Sequence, residues 1–241
     1  MRAYAMTNIG AKRNTNQDYA YFSVEQIGNL PNVLIVADGM GGHKAGEVAS
    51  EQAVNAVLQS IKENEKKDKI SIIEEAIDVA NVKVFEMATK DEKFKGMGTT
   101  IVVATLENNN LYVANVGDSR LYLIGDDIRQ ITRDHSLVQE MVSIGELDKE
   151  SAKTHSRKNV ITRAVGVERK VTADFFEAEI SEGTKILLCS DGLTNMVEDA
   201  DIKDIVDRCS DGNMEEAVHK LIDAANNNGG LDNIAVVLAE V

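Results

Sequence analysis

Apolar residues fall along this chain in two kinds of run. Short stretches rich in β-branched side chains predict strands over 32–37, 99–106, 110–116, 120–124, 185–189 and 233–238. Three other segments carry helical spacing: Val48, Ala49, Ala53, Ala56, Val57 and Ile61; Ile73, Ile77, Ala80 and Val84; and Met214, Ala217, Val218, Leu221, Ile222 and Ala225. Ser71-Ile-Ile-Glu74 has the form of a capping box, so it predicts the start of the second helix. Two helices in succession, then several strands, then a late helix pair and a final strand do not alternate as a doubly wound parallel sheet would. The order predicts an α+β fold, a central antiparallel β-sandwich flanked by α-helices.

Between 134 and 163 the pattern weakens into polar sequence with the basic stretch His155-Ser-Arg-Lys158. It reads as a surface excursion, a flap carrying a short helix near 136–144, and such excursions serve as lids over sites. With one proline, no repeat and no Gly/Ser linker, residues 1–241 read as a single domain. No stretch approaches the roughly 18 apolar residues of a membrane helix, and Met1-Arg-Ala-Tyr4 opens no signal-peptide pattern, which predicts a cytoplasmic protein with no membrane span.

A net charge of −14, from 26 basic and 40 acidic side chains, excludes the basic stripe a nucleic-acid partner requires. Cys189 and Cys209 form neither a disulfide framework nor a Cys-x-x-Cys clip and read as buried, inert thiols. The acidity is more informative in its placement. Four aspartates follow an apolar strand or a turn and stand beside glycine or a small polar residue: Asp38 in Ala37-Asp-Gly-Met-Gly-Gly-His43, Asp118 in Val116-Gly-Asp-Ser-Arg120, Asp191 in Cys189-Ser-Asp-Gly-Leu193 and Asp232 in Gly229-Gly-Leu-Asp-Asn233. Asp18, ending Arg13-Asn-Thr-Asn-Gln-Asp18, is a fifth. One such carboxylate alone is solvated or caps a turn. Five brought together repel unless cations neutralise them, and an oxygen-only set favours Mg²⁺, Mn²⁺ or Ca²⁺ over zinc. The glycines after Asp38 do not make a nucleotide loop. Glu47 stands where a Walker-A lysine is needed, and Lys44 stands where a dinucleotide loop needs its third glycine. Close backbone approach remains as their use, with the Gly39 carbonyl reaching an ion held by Asp38.

Taken in order, Arg13-x-x-Asn-Gln-Asp18, Asp38-Gly-Met-Gly-Gly-His43, Gly96-Met-Gly-Thr-Thr100, Val116-Gly-Asp-Ser-Arg120, Ser190-Asp-Gly-Leu193 and Asp232-Asn-Ile234 resemble the metal-dependent protein phosphatases of the 2C class in their compact bacterial form. The resemblance implies a four-layer α-β-β-α fold. It implies hydrolysis of phosphoserine and phosphothreonine in proteins by direct attack of a water or hydroxide bridging the ions, with two to three Mn²⁺ or Mg²⁺ bound. On this resemblance Asp38 bridges two ions, the Gly39 carbonyl meets the second, Asp191 and Asp232 complete the site, and Asp18 acts through water. Asp118, with Asp191, matches a third-metal site, and Arg13 matches the arginine that binds the substrate phosphate.

Met40 stands where animal relatives carry a histidine acid, which leaves His43 as the substitute general acid or as a group that only orders water. The flap, 134–163, is where the resemblance puts substrate choice. Gly96 to Thr100, Ser119 and Arg120 read as packing and turn residues. Phosphorylated proteins are the implied substrates, a eukaryotic-like Ser/Thr kinase the implied opposing enzyme, and a monomer the expected state. A catalytically weak phosphoprotein-binding relative and a small-molecule phosphatase are the alternatives.

Overall fold

The computed structural model describes residues 1–42, 44–209 and 213–241. In chain order, β1 (Arg2–Asn8), β2 (Asp18–Ser23) and β3 (Val33–Met40) lead into α1 (Ala45–Glu63) and α2 (Lys69–Lys90). After a 3₁₀ turn come β4 (Gly98–Thr99), β5 (Ile101–Glu107), β6 (Asn110–Val116), β7 (Arg120–Ile124) and β8 (Ile128–Gln130). The chain closes with α3 (Leu137–Ser143), α4 (Lys149–Thr154), β9 (Asp174–Glu179), β10 (Lys185–Cys189), α5 (Asp191–Thr194), α6 (Asp199–Asp207), α7 (Met214–Asn227) and β11 (Ile234–Glu240).

The strands form two antiparallel sheets. One runs β1-β11-β10-β7-β8; the other runs β2-β3-β5-β6-β9, with β4 on β3. Successive side chains of a strand point to opposite faces, and here nearly every face is covered. Val33, Ile35 and Ala37 of β3 and Ile101 and Val103 of β5 pack under α1 and α2. Their alternates Leu34, Val36, Val102 and Ala104 meet Leu121, Leu123, Ile186, Leu188, Val237 and Ala239 of the other sheet. The remaining face of that sheet, with Tyr122, Leu187, Val236 and Leu238, lies against α5, α6 and α7. The result is α-β-β-α, the expected class. It also explains why these antiparallel strands read as continuous apolar runs instead of alternating ones.

The second helix starts earlier than its capping-box pattern predicts. Asp68 is the N-cap, accepting from the Ser71 amide at 2.8 Å, and Ser71 lies inside the first turn. A carboxylate at the cap satisfies the orphan amide and opposes the positive helix end, which outcompetes the serine three residues on. The short helix expected near 136–144 is α3, and Ser136 caps it, accepting from the Gln139 amide. The short α4 and the strands β1, β2, β8 and β9 had no counterpart among the expected elements.

Candidate metal centre

Strand direction alone gathers the aspartates at one end of the sandwich. Asp18 opens β2 and pairs in register with Asp38 near the end of β3. β6 ends at Val116 opposite Ile101, where β5 begins, so the turn to β7 carrying Asp118 faces the same end. Arg120 opens β7 opposite Cys189 at the end of β10, and Cys189 pairs with Val236 near the start of β11. The turns holding Asp191 and Asp232 therefore meet there too. Gly192 makes that meeting close: a Cβ on it would lie 1.9 Å from the Asn233 carbonyl oxygen, so a side chain there would push the two turns apart.

Small polar side chains hold these turns in place. Ser190 donates from Oγ to Asp18 Oδ2 at 2.6 Å and accepts from the Ala235 amide at 2.9 Å. The Asp38 amide donates to Thr100 Oγ1 at 3.0 Å, and the Asp38 carbonyl accepts from Thr99 Oγ1 and the Thr100 amide. Asn195 donates to Asp191 Oδ2 at 2.9 Å. Asn233 accepts from the Gln17 amide and donates to the carbonyls of Ile9 and Thr15, tying the segment that precedes Asp18 to the Asp232 turn. Gly39 packs its backbone against Gly46, whose carbonyl oxygen fills the space a Cβ would need. Thr100, Ser119, Ser190, Asn195 and Asn233 were not singled out for the site by sequence; only their pairing reveals them.

Burial is the first cause of the electrostatic state of this cluster. It pushes the carboxyls of Asp18 and Asp118 up to about 7, that of Asp191 up to about 6 and that of Asp38 well above the usual carboxylate range. Neighbouring negative charge adds to it: Asp18, Asp191, Asp118 and Asp232 all act on Asp38, and Asp191 and Asp232 act on Asp18, where the Ser190 hydrogen bond opposes them. Asp38, Asp118 and Asp191 are nevertheless only partly buried, and Asp118 and Asp191 open on a cleft. That cleft, about 650 Å³, runs from Asp118 and Asp191 to Gln139, Lys153 and Lys158 of the flap segment. Lys153 bridges back to Glu198 at 3.0 Å.

Two carboxylate oxygens, Oδ1 of Asp18 and Oδ1 of Asp191, are buried without a hydrogen-bond partner. A buried acceptor left alone is costly, more so when charged. Orphaned oxygens among mutually repelling carboxylates are the donor set a hard divalent cation satisfies, so the residues fit the expected ions. Among the described residues no three acidic or His/Cys side chains already converge on one ion position. The two observations differ in reach, since Coulomb repulsion at low dielectric acts well beyond the roughly 2.0–2.6 Å of a coordinating bond. Asp232 is turned toward Arg13, whose Nη2 donates to its Oδ2 at 2.6 Å. Arg13 itself is half exposed at the edge of the cluster. His43 lies outside the described residues.

A model of the family described as protein phosphatase 2C matches residues 18–234. Protein phosphatase PhpP of Streptococcus pneumoniae is 39% identical over 246 residues, covering 100% of this chain and 98% of that protein. The solved serine/threonine phosphatase of S. agalactiae superposes with a TM-score of 0.91 at 35% identity, over 100% of this chain and 99% of that one. The catalytic domain of the serine/threonine phosphatase PstP, solved in complex with two manganese ions, gives 0.86 at 32% identity, over 99% and 97% of the two chains.

Proposed function

This chain belongs to the protein phosphatase 2C family, and from that premise we propose that it is a divalent-metal-dependent hydrolase of phosphoserine and phosphothreonine in proteins. One observation carries the metal dependence: buried aspartates from separate turns crowd one end of the sandwich, raised by burial and by each other, with two of their oxygens unpartnered. Asp38, Asp191 and Asp232 would hold the ions with the Gly39 carbonyl, Asp18 would contribute through water, and Asp118 with Asp191 would form a third position. Bound ions supply the Lewis acidity that activates water at neutral pH and neutralises phosphoryl charge.

The chain's own groups do the rest. Thr100 fixes the Asp38 backbone, and Ser190 and Asn195 aim the carboxylates of Asp18 and Asp191. Arg13 receives the phosphoryl oxygens, exchanging its Asp232 contact for a bidentate one. The cleft under the flap takes the peptide around the phosphorylated residue. No helix among the described residues is long and apolar enough to cross a membrane. A monomer acting in the cytoplasm against a Ser/Thr kinase completes the reading.

The test of this function is a comparison of substrates in Mn²⁺. A phosphothreonine peptide should exceed a sugar phosphate in kcat/KM by about 10²-fold or more, because remote binding energy is realised only on the peptide. Equal values would make the protein a small-molecule phosphatase.

Arg13→Ala separates binding from chemistry. A charge-assisted hydrogen bond contributes about 1.5–3 kcal/mol, so kcat/KM should fall by roughly 10- to 150-fold, mostly through KM. If KM is unchanged and only the Mn²⁺ requirement rises, Arg13 serves Asp232 and not the substrate.

A further inference from the structure

Asp118 is gripped from both sides. On one side Ser119 Oγ lies 2.7 Å from Thr100 Oγ1, the same hydroxyl that receives the Asp38 amide. On the other, the Gly117 amide donates to His135 Nδ1 at 3.0 Å, and the His135 amide donates back to the Gly117 carbonyl at 2.9 Å. His135 is only 6% exposed. Its far nitrogen, Nε2, lies 3.2 Å from Asp174 Oδ2. Because Nδ1 accepts, the ring proton sits on Nε2 and points to that carboxylate. Arg163 Nη1 is 3.1 Å from Nε2 and directs its hydrogens to Asp174 Oδ1 and the Thr172 carbonyl instead.

The same histidine closes the stem of the flap. Its carbonyl accepts from the Thr162 amide at 2.8 Å, Ser136 bridges Ile161, and the Leu137 amide donates to the Val160 carbonyl. Both ends of the excursion therefore meet at the residue that holds Gly117. We propose that His135 is a positioning residue linking the flap stem to the Asp118 carboxylate through Gly117, so that a seated flap sets the direction of Asp118. The inference rests on the reading of Asp118 as an ion ligand.

Two substitutions separate the ends of the ring. His135→Asn places an amide oxygen near the position of Nδ1 and keeps the acceptor for Gly117. His135→Gln reaches the Nε2 end and loses that acceptor. Partners that orient metal-ligating groups typically matter by about 10- to 100-fold. His135→Gln should lower kcat by that factor with KM nearly unchanged, and His135→Asn should restore most of it. In metal-free protein, amide exchange at Gly117 should quicken in His135→Gln and stay slow in His135→Asn, a readout independent of turnover.

On an Asp118→Ala background, His135→Gln should add less than about 3-fold, since the two act through one carboxylate. If Asp118→Ala alone matches the parent, the ion-ligand reading of Asp118 fails. If Asp118→Ala is slow and the full His135→Gln loss persists on top of it, the positioning role is overturned. Should His135→Gln not fold, Asp174→Asn reaches the same ring from a half-exposed position. It should also slow turnover and quicken Gly117 exchange, and no change in either would equally overturn the proposal.

Discussion

Asp38→Asn should lower kcat on a phosphothreonine peptide by about 10³-fold or more, yet make the metal-free protein more heat-stable. The loss follows from position. Asp38 feels the charges of Asp18, Asp191, Asp118 and Asp232, so it stands at the centre of the carboxylate cluster. Removing one preorganised electrostatic group from such a site costs roughly 10²–10³-fold, and a bridging ligand serves more than one ion. The gain follows from the same crowding, because an amide of equal shape is neutral at every pH and removes the cost of either ionising Asp38 or holding a proton on it, while the backbone bonds to Thr99 and Thr100 persist. About 1 kcal/mol corresponds to roughly 2–4 °C in a protein of this size. Phosphate release and calorimetry in EDTA read the two effects. Activity above about a tenth of the parent would remove Asp38 from the centre. Lost activity with a lowered melting temperature would trace the loss to misfolding.

Metal-free protein should lose stability as pH rises from 5 to 8, and Mn²⁺ should rescue it most at the alkaline end. The unfolded aspartates ionise near 3.8, whereas folding raises Asp18 and Asp118 to about 7 and Asp191 to about 6. Between those values the native state holds more protons than the unfolded chain, so stability is complete below the unfolded value and falls as pH passes through the folded ones. The three groups act in the same direction, so the melting temperature in EDTA should fall steadily across this window. Ions compete with those protons, and their stabilisation grows as the protons leave. A melting temperature in EDTA that is flat or rising between pH 5 and 8 would contradict the crowded, unneutralised cluster. So would equal Mn²⁺ shifts at both ends.

What could be read in advance depended on how completely each segment is covered. β6, β7 and β10 were read to the residue because their side chains are buried on both faces or nearly so, which leaves an unbroken apolar run. β9, Asp174-Phe-Phe-Glu-Ala-Glu179, lies at a sheet edge with its residues half exposed, and its mixed sequence carries no such run. β1 is hidden for the same reason. The aspartates were legible as a set: one carboxylate at the end of an apolar strand can simply be solvated or cap a turn, but five in the same local setting cannot share one site without cations. Their supports were not. Thr100 and Ser119 look like ordinary strand and turn residues until their hydroxyls are seen 2.7 Å apart beside Asp38 and Asp118. His135 sits in polar sequence at the start of the flap, and only the fold brings Gly117 and Asp174 to its two nitrogens.

On the proposed function, this family member hydrolyses phosphorylated protein side chains through ions held by its aspartate cluster. Phosphate release from a phosphothreonine peptide, followed in Mn²⁺, then in excess EDTA, then after Mn²⁺ is restored, tests it most directly. Turnover should be present, vanish and return. Undiminished release in EDTA, or no release at saturating Mn²⁺, would contradict the account.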